Sequence, residues 1–541
     1  MASAWIQSEV FSNVDAAWLH MEKPTNMAMI TGVMTFDRPV DFDRFTDTIA
    51  YRLLGYRRFV QRVKKPSLPL GLPHWEDDPH FNLHAHLHRI ALPEPGDLAI
   101  LQDLVGDLMG TPLDFTKPLW QMHLVEGYGN GCALIVRLHH CIADGLALMQ
   151  VVLSLADQEA NAPWPEPPEK RRSEWMPFSW LFKPAADGIR LIRGTVHVAE
   201  TIAHAGLETL IHPTRVLDAA RLGTARTRAL AKLLLIGPDQ KTLFKGSCGV
   251  AKRAAWSRPI PIEDVKAIGQ VIDGTVNDVL LTAVTGALRR YLEKRGAPTE
   301  GVDIRAVVPV NLRAPDNFNQ LGNRFGLVFL SLPVGVQDTI KRLLILKRRM
   351  DQIKDTPEAV VAFGILNAIG MTPVQIENII VKIFAMKGTA VMTNVPGPRT
   401  PLYFAGQKIR SFVFWVPSPG NLSLGVSIFS YSGEIVVGVA TDAGLVPDPQ
   451  AIIAGLHAEI DEMKLWLLSD QLEEIPLAAA EVAAADYPVA LEVEKSPLAT
   501  AEPAAGFNDR QSGFCQARTK AGKPCKNRAL PGLQTCHIHK I

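Results

Sequence analysis

Apolar and polar positions alternate along the first part of the chain in a way that predicts both strands and helices. The apolar run from Met27 to Phe36 predicts a strand, and Phe42 to Leu54 places its apolar residues at helical spacing. Residues 97–110 predict a second helix. Residues 124–138 predict a β-hairpin that turns within the glycine-rich run 127–131. This run does not match a dinucleotide-binding loop, because it joins two strands and lacks the third glycine at the required offset.

The pattern resumes near residue 242 and again mixes helices with strands. Helices are predicted at 264–272 and 276–292, and an amphipathic helix ends near residue 468. Strands are predicted at 304–310, 327–333, 408–415, 422–431 and 434–441, and the last three close this second half.

A polar segment separates the two halves. Residues 157–187 are rich in Pro, Glu, Lys and Arg, which predicts a linker. The stretch 189–235 then combines apolar positions at helical spacing with interleaved arginines and lysines. Such an amphipathic basic helix can lie in a membrane interface, or it can pack across the junction of the two halves. The sequence leaves both interpretations open.

A second strongly apolar stretch covers residues 359–386. Gly364, Gly370 and Pro373 interrupt it, so it is too broken to span a bilayer as one helix. It is a candidate for membrane contact or for the apolar wall of a tunnel, and a buried core helix explains it equally well.

Composition narrows the class of protein. The chain has 541 residues, of which 47% are hydrophobic and 21% charged, with a net charge of +1. This balance gives ample material for a core and no basis for bulk nucleic-acid binding. The chain starts without the basic and apolar regions of a signal peptide, and no apolar run reaches the roughly 18 residues of a membrane span. A cytoplasmic location is therefore expected.

Candidate chemistry is concentrated in the run 139–145, which reads His-His-Cys-Ile-Ala-Asp-Gly and follows a buried-type strand. The next residues predict an apolar helix that Asp144 is placed to cap. Adjacent residues at a strand end point to opposite faces, so His139 and His140 are expected to have different roles. A neutral imidazole can accept a proton from a hydroxyl at physiological pH.

The HHxxxDG run is the signature of the chloramphenicol-acetyltransferase-like superfamily, which includes condensation domains. Further motifs narrow the resemblance: Pro118-Leu119-Trp120, Asn277-Asp278 at the start of an apolar helix, and the run 394–398 reading Asn-Val-Pro-Gly-Pro. In this order they resemble the bacterial wax ester synthase/diacylglycerol acyltransferase family, over roughly residues 9–468.

The resemblance implies an α/β (α+β) fold of two chloramphenicol-acetyltransferase-like subdomains, each a mixed sheet with helices, around a central channel. The first subdomain would cover residues 1–156 and the second 242–468, with the linker and amphipathic helices at 157–241 between them.

The resemblance also implies direct transfer of a long-chain acyl group from acyl-CoA to diacylglycerol or a long-chain alcohol. His140 would be the general base, with His139 and Asp144 in the catalytic set. Asp144 would pair with an arginine that fixes the loop, and Arg313 is the expected partner. The chain contains no G-x-S-x-G elbow that would suggest a covalent intermediate. No catalytic cofactor is expected, since acyl-CoA is a substrate.

A substrate-binding set follows from the same motifs, and its members are Asn277, Asp278, Gly145, Asn394 and Arg313. Asn277 would donate a hydrogen bond to the thioester oxygen or a substrate, or it would only cap its helix. The run 394–398 predicts a rigid turn at the channel floor. A peripheral position on the inner membrane or on lipid inclusions is expected for such substrates.

Two rivals from other classes remain. One is a condensation-type enzyme that uses carrier-protein thioesters, and the other is a lipid-droplet or membrane scaffold whose tail binds a partner. The Asn277-Asp278 and 394–398 motifs disfavour the first, and the intact HHxxxDG run disfavours the second.

The C-terminal tail has its own character. Residues 469–510 are dominated by Ala, Glu and Pro, which predicts a disordered tether. Residues 511–541 contain Cys515, Cys525, Cys536 and His539, a donor set that suits tetrahedral zinc. This segment resembles a small cysteine-rich module appended to unrelated bacterial and phage proteins. The alternative is an unstructured tail with three free thiols.

Overall fold

The computed structural model describes residues 8–66, 71–166, 225–313, 321–354, 356–372, 374–469 and residue 482. The predictions for the stretch 189–224 of the basic amphipathic segment, for the tether and for the cysteine-rich tail lie outside the described residues. The domain boundaries remain predictions.

Eleven α-helices are named here within the described part. They are α1 (Asn13–Met21), α2 (Phe42–Arg52), α3 (Leu98–Met109), α4 (Gly145–Leu155), α5 (Ala225–Leu235), α6 (Ile262–Val271), α7 (Val276–Lys294), α8 (Thr339–Lys354), α9 (Glu358–Ile369), α10 (Val374–Met386) and α11 (Pro449–Leu467).

The strands of the described part form three sheets. The strands are β1 (Ser8–Val10), β2 (Met29–Phe36), β3 (Gln61–Lys64), β4 (His74–Asp77), β5 (Leu87–Ala91), β6 (Trp120–Tyr128), β7 (Gly131–His139), β8 (Lys252–Trp256), β9 (Ile260–Pro261), β10 (Ile304–Asn311), β11 (Phe325–Leu332), β12 (Ala390–Pro396), β13 (Tyr403–Phe404), β14 (Gln407–Trp415), β15 (Leu424–Tyr431) and β16 (Glu434–Asp442).

Each half carries one mixed sheet, as the resemblance implied. The first is six-stranded in the order β13-β14-β2-β7-β6-β5, with β5 and β6 parallel. The second is seven-stranded, in the order β11-β10-β12-β15-β16-β8 with β9 paired to β16, and β12 runs parallel to both β10 and β15. A third sheet has three strands in the order β1-β4-β3. The predicted fold class is confirmed.

Strand β14 does not follow the prediction. The sequence assigned residues 408–415 to the sheet of the second half, but Gln407–Trp415 pairs antiparallel with β2 of the first sheet, with Trp415 opposite Thr31. The prediction of its sheet is wrong, because an alternating pattern shows that a segment is a strand and carries no information on which partner it meets. The second half therefore supplies part of the sheet that carries the histidine motif.

Local sequence explains where several helices begin. Asp41, Asp97 and Asp144 each accept a hydrogen bond from the backbone N–H three residues on, which caps α2, α3 and α4. The predicted capping role of Asp144 is confirmed. Thr275 is the N-cap of α7 and forms a capping box with Asp278. The side chain of Thr275 accepts a hydrogen bond from the N–H of Asp278, and the carboxylate of Asp278 accepts one from the N–H of Thr275.

Two large apolar clusters hold the described part together. One packs α1, α2 and α4 against the first sheet, and it includes Ile365, Ile369 and Ile380 from α9 and α10 of the second half. The other packs α7 and α11 against the second sheet. Among the described helices, none alone is long and apolar enough to cross a membrane. Helices α6 and α7 together have the length and composition of a span, but they meet at a bend of 96°.

Candidate active site

Strand β7 ends at the histidine motif, and both histidines are buried. It lies between β2 and β6, and it ends at His139. The backbone N–H of His139 donates to the carbonyl of Leu119, and that of His140 donates to the carbonyl of Ala28. Neighbours on both sides therefore fix the backbone of both histidines at the point where the strand ends.

Both ring nitrogens of His139 have a protein neighbour. The imidazole is fully buried, its Nδ1 accepts a hydrogen bond from the N–H of Cys141 at 3.1 Å, and its Nε2 lies 3.0 Å from Oε2 of Glu22. Because Nδ1 is an acceptor, the neutral ring carries its proton on Nε2, which faces the carboxylate. The ring of His139 is thereby held with Nδ1 toward the turn backbone and Nε2 toward Glu22.

His140 is held by ring contacts instead. Its imidazole stacks on the indole of Trp18, with centroids 4.1 Å apart, and Phe325 lies 5.7 Å away on a tilted plane. Its Nδ1 has no hydrogen-bond partner among the described residues. Burial lowers the pKa of His140 to about 4, because a cation would lose its hydration there. The ring is therefore neutral near pH 7 and can accept a proton.

Asp144 is fixed from three directions. Nε and Nη2 of Arg313 donate to its Oδ2 at 3.1 and 2.8 Å, and the N–H of Arg324 donates to the same oxygen at 2.9 Å. Its Oδ1 accepts the capping bond from Ala147. Arg313 also donates to the carbonyl of Gly322. The structure thus places Arg313 on Asp144, where it holds the loop.

Asn323 fixes the loop at a second point. Its Nδ2 donates to Oδ1 of Asp15 at 2.8 Å and to the carbonyl oxygen of His140 at 2.9 Å. Burial raises the pKa of Asp15, and the bond from Asn323 opposes that shift. The backbone of Gly322 also pairs with Ala143 in an isolated bridge. A short segment of the second half therefore holds both ends of the histidine turn.

Of the residues predicted at the 277–278 and 394–398 motifs, Asn277 and Asn394 are in direct contact. Nδ2 of Asn394 donates to Oδ1 of Asn277 at 3.0 Å. The cap of α7 is Thr275 and not Asn277, so the capping alternative for Asn277 is wrong. Asp278 is buried, and its Oδ2 accepts hydrogen bonds from the backbone N–H and the hydroxyl of Thr275.

The prediction of a rigid turn at 394–398 is only partly right. Asn394, Val395 and Pro396 are the last residues of β12, which pairs in parallel with β15, and the turn starts at Gly397. A Cβ at Gly397 would lie 2.4 Å from the carbonyl oxygen of Ser430, so this close approach requires glycine.

Gly145 begins α4 directly after Asp144. A Cβ added there would meet no described atom within 4 Å, so the helix start faces open space beside the histidine turn. Leu119 and Trp120 pack behind the turn, where Trp120 is buried and its Nε1 donates to the carbonyl of Phe59. Cys141 is buried, and burial raises the pKa of its thiol, which suits a structural residue.

A cleft of about 920 Å³ is lined in part by residues that contact His139. It is lined by Glu22 and Phe115, and the ring of Phe115 lies 5.8 Å from that of His139. The rest of its lining combines apolar side chains with lysines. These residues include Leu19, Met27, Leu72, Met371, Lys23 and Lys65.

The candidate zinc ligands Cys515, Cys525, Cys536 and His539 lie outside the described residues. Within the described part, no group of three or more His, Cys, Asp or Glu side chains is arranged to hold a metal ion.

Sequence comparison assigns both halves to one family. The model of the wax ester synthase/diacylglycerol acyltransferase catalytic domain matches residues 11–280, and that of the WS/DGAT C-terminal domain matches residues 321–464. The chain belongs to the wax ester synthase/diacylglycerol acyltransferase family. It is an acyltransferase, and the family resemblance stated from its motifs is confirmed.

Named relatives and solved structures agree with this assignment. The probable diacylglycerol O-acyltransferase tgs1 of Mycobacterium tuberculosis (strain ATCC 25618 / H37Rv) is 28% identical over 77% of this chain and 87% of its own length. The probable diacylglycerol O-acyltransferase tgs2 of the same strain is 26% identical over 83% and 97%. The wax ester synthase/diacylglycerol acyltransferase of Marinobacter aquaeolei VT8 shares the fold, with a TM-score of 0.61 and 22% identity over 85% of this chain and all of that one.

The sequence did not predict three residues of this acyltransferase site, and these are Trp18, Glu22 and Asn323. Trp18 and Glu22 lie in or beside α1, whose sequence carries no catalytic motif. Asn323 lies between β10 and β11, and only its polarity next to a glycine marks it. Each acts through a contact with a residue more than 100 positions away, so a local pattern could not have found it.

Proposed function

We propose that this family member transfers a long-chain acyl group from acyl-CoA to the hydroxyl of diacylglycerol, and also to a long-chain alcohol where one is available. In this proposal His140 is the general base and no covalent acyl-enzyme forms. The names of the relatives support diacylglycerol as acceptor, and the family name supports the alcohol.

The contrast between the two histidines carries the proposal. His139 faces the backbone N–H of Cys141 and the carboxylate of Glu22, whereas His140 is neutral, stacks on Trp18 and has no hydrogen-bond partner at Nδ1 among the described residues. His140 removes the proton of the acceptor hydroxyl as the oxygen attacks the thioester carbonyl carbon. The tetrahedral intermediate then collapses, the C–S bond breaks, and the imidazolium returns the proton to the sulfur of CoA. General-base catalysis of this kind supplies about 10²- to 10⁴-fold in rate.

The lining of the cleft supports the substrate class. Leu19, Met27 and Phe115 offer apolar contacts for an acyl chain, and Lys23 and Lys65 offer positive charge for the phosphates of CoA. We infer that acyl-CoA occupies this cleft with its thioester toward the histidine turn. Because diacylglycerol and long-chain acyl groups reside in lipid phases, we also propose that the protein works at the surface of a membrane or lipid inclusion.

Release of free CoA from palmitoyl-CoA, with dioleoylglycerol or hexadecanol as acceptor, tests the function. We expect acceptor-dependent release by the wild-type protein and its loss, by at least about 100-fold, in His140→Ala. His123→Ala is the matched control, since it also removes a buried imidazole from the same sheet. Wild-type turnover by folded His140→Ala would exclude the base mechanism, and no release from the wild type with either acceptor would exclude the function.

A further inference from the structure

Helix α10 presents an apolar face to solvent. Ile376, Ile379, Ile383 and Met386 are 48%, 61%, 40% and 40% exposed. Their spacing of three, four and three residues places them on one side of the helix. The opposite side, with Glu377, Ile380 and Val381, is buried against the protein. A helix that is apolar on both sides departs from the usual surface helix, whose outer face is polar. We call the four exposed residues the α10 stripe.

The charges on α10 favour an anionic or neutral lipid surface over water. Glu377 is the one acid in the sequence of this helix, and it is buried, with its Oε2 2.9 Å from Nδ1 of His20. Lys382 is its one base, and it is exposed beside the stripe. The outer surface of the helix thus combines large apolar side chains with a lysine and displays no carboxylate, which is the composition of an interfacial helix.

The connection that precedes α10 lines the cleft. Gly370, Met371 and Thr372 join α9 to α10 and line the cleft, and Met371 is 56% exposed. A Cβ at Gly370 would lie 1.8 Å from the carbonyl oxygen of Asn13, so this connection is packed tightly against the start of α1. An exposed apolar side chain, Met371, therefore lies at the cleft, five residues before Ile376, the first residue of the α10 stripe.

The same helix pair ties the stripe to the catalytic histidine. The contact between Glu377 and His20 joins α10 to α1, and Trp18 of α1 stacks on His140. A lipid surface seated on the stripe would thus lie against elements that also support the base.

The geometry points to the α10 stripe as the surface that seats this acyltransferase on a lipid layer, with Met371 at the place where the acceptor passes from the lipid into the cleft. The occupant is a lipid layer that contains diacylglycerol. This inference rests on the proposed function for the identity of the acceptor, and it explains why large apolar side chains are exposed beside the cleft.

Co-sedimentation of the full-length protein with dioleoylphosphatidylcholine vesicles, with and without dioleoylglycerol, tests this surface. We expect Ile379→Glu/Ile383→Glu to lower vesicle binding by at least about tenfold, because the charges oppose insertion of the helix face. Leu465→Glu/Leu468→Glu is the control. It changes two residues that are more exposed, at the end of α11, and should bind like the wild type.

Turnover separates docking from chemistry. With dioleoylglycerol in vesicles, CoA release by the α10 variant should fall about tenfold, in step with its vesicle binding. With dihexanoylglycerol as a dissolved monomer, the same variant should match the wild type, which also shows that it is folded. If the wild type releases no CoA from either acceptor, the proposed function fails, while sedimentation still tests the surface.

Two results would overturn the inference. One is vesicle binding by the α10 variant that equals that of the wild type. The other is a wild-type dimer in analytical ultracentrifugation that the α10 substitutions dissociate, since the stripe would then be covered by a second copy of the chain.

Discussion

The indole of Trp18 lies almost flat on the imidazole of His140, with ring planes 18° apart and centroids 4.1 Å apart. Trp18 belongs to α1 and His140 to the turn after β7, so the contact joins two elements distant in sequence. Both rings are buried, and the stack shields the imidazole from water. It therefore positions the base and contributes to its low pKa.

Trp18→Ala should lower turnover and move the acid limb of the pH profile upward. Loss of the indole admits water to His140, so its pKa should rise from about 4 toward its ordinary value. The core cavity should also cost about 3–5 kcal/mol of stability. Trp18→Phe keeps a stacking ring and should retain most activity and the wild-type profile. A purely structural role would lower activity in Trp18→Ala without moving the limb.

The pH profile of the wild type is a second prediction. Since the base must be neutral and its pKa is about 4, kcat/KM should stay high down to about pH 5. An acid limb near pH 6.5 would contradict the burial argument.

Protonation of His140 should also make the free energy of unfolding depend on pH. The pKa of His140 is about 4 when folded and about 6.5 when unfolded, so the unfolded chain binds more protons between these values. The contribution of this group is fully present above about pH 6.5 and is lost as pH falls toward 4, by up to about 3 kcal/mol. Denaturant titrations should show a smaller loss over this range in His140→Ala than in the wild type.

Arg313→Ala should destabilise the fold and reduce activity together. It leaves the carboxylate of Asp144 buried without its cation, which typically costs about 3–5 kcal/mol. Asp144→Ala should have a similar effect and also removes the cap of α4. Arg410→Ala breaks an exposed ion pair with Glu434 and should change the free energy of unfolding by less than about 1 kcal/mol. A loss in Arg313→Ala no larger than in this control would contradict the prediction.

Asn323→Asp should produce a pH-dependent defect. The new carboxylate would face Asp15, whose pKa burial already raises, so two buried negative charges would oppose each other at neutral pH. Protonation of one of them relieves the repulsion, so the deficit relative to the wild type should shrink as pH falls. Asn323→Ala removes the bridge without adding charge and should show a deficit of about 1–3 kcal/mol with little dependence on pH. Equal pH profiles for the two variants would contradict this account.

The cysteine-rich tail is predicted from its sequence to bind about one zinc ion per chain. Cys525→Ser/Cys536→Ser should lose the metal and keep acyl transfer, because the histidine turn does not depend on the tail in the proposed mechanism. Cys248→Ser, a free cysteine of the described part, should keep the metal. Elemental analysis of the three purified proteins decides this, and equal zinc contents would favour an unstructured tail.

The sequence by itself determined the family, the mixed sheets and the histidine turn. Strand β7, the helix after it and the cap at Asp144 depend on residues within a few positions, and near neighbours encode such elements. Gly364, Gly370 and Pro373 likewise predicted that the run 359–386 is too interrupted to span a bilayer, and in the structure this run contains two helices, α9 and α10.

Only the tertiary structure decided how the site is supported. Strand β14 crosses to the first sheet, Asn323 bridges to the carbonyl of His140, and Trp18 covers its ring, all through contacts between residues more than 100 positions apart. It also decided that α10 turns Ile379 outward, because a continuous apolar run does not distinguish the face that meets a core from the face that does not. The periodicity of apolar residues predicts whether a segment is a helix or a strand, and long-range packing determines which other elements it contacts.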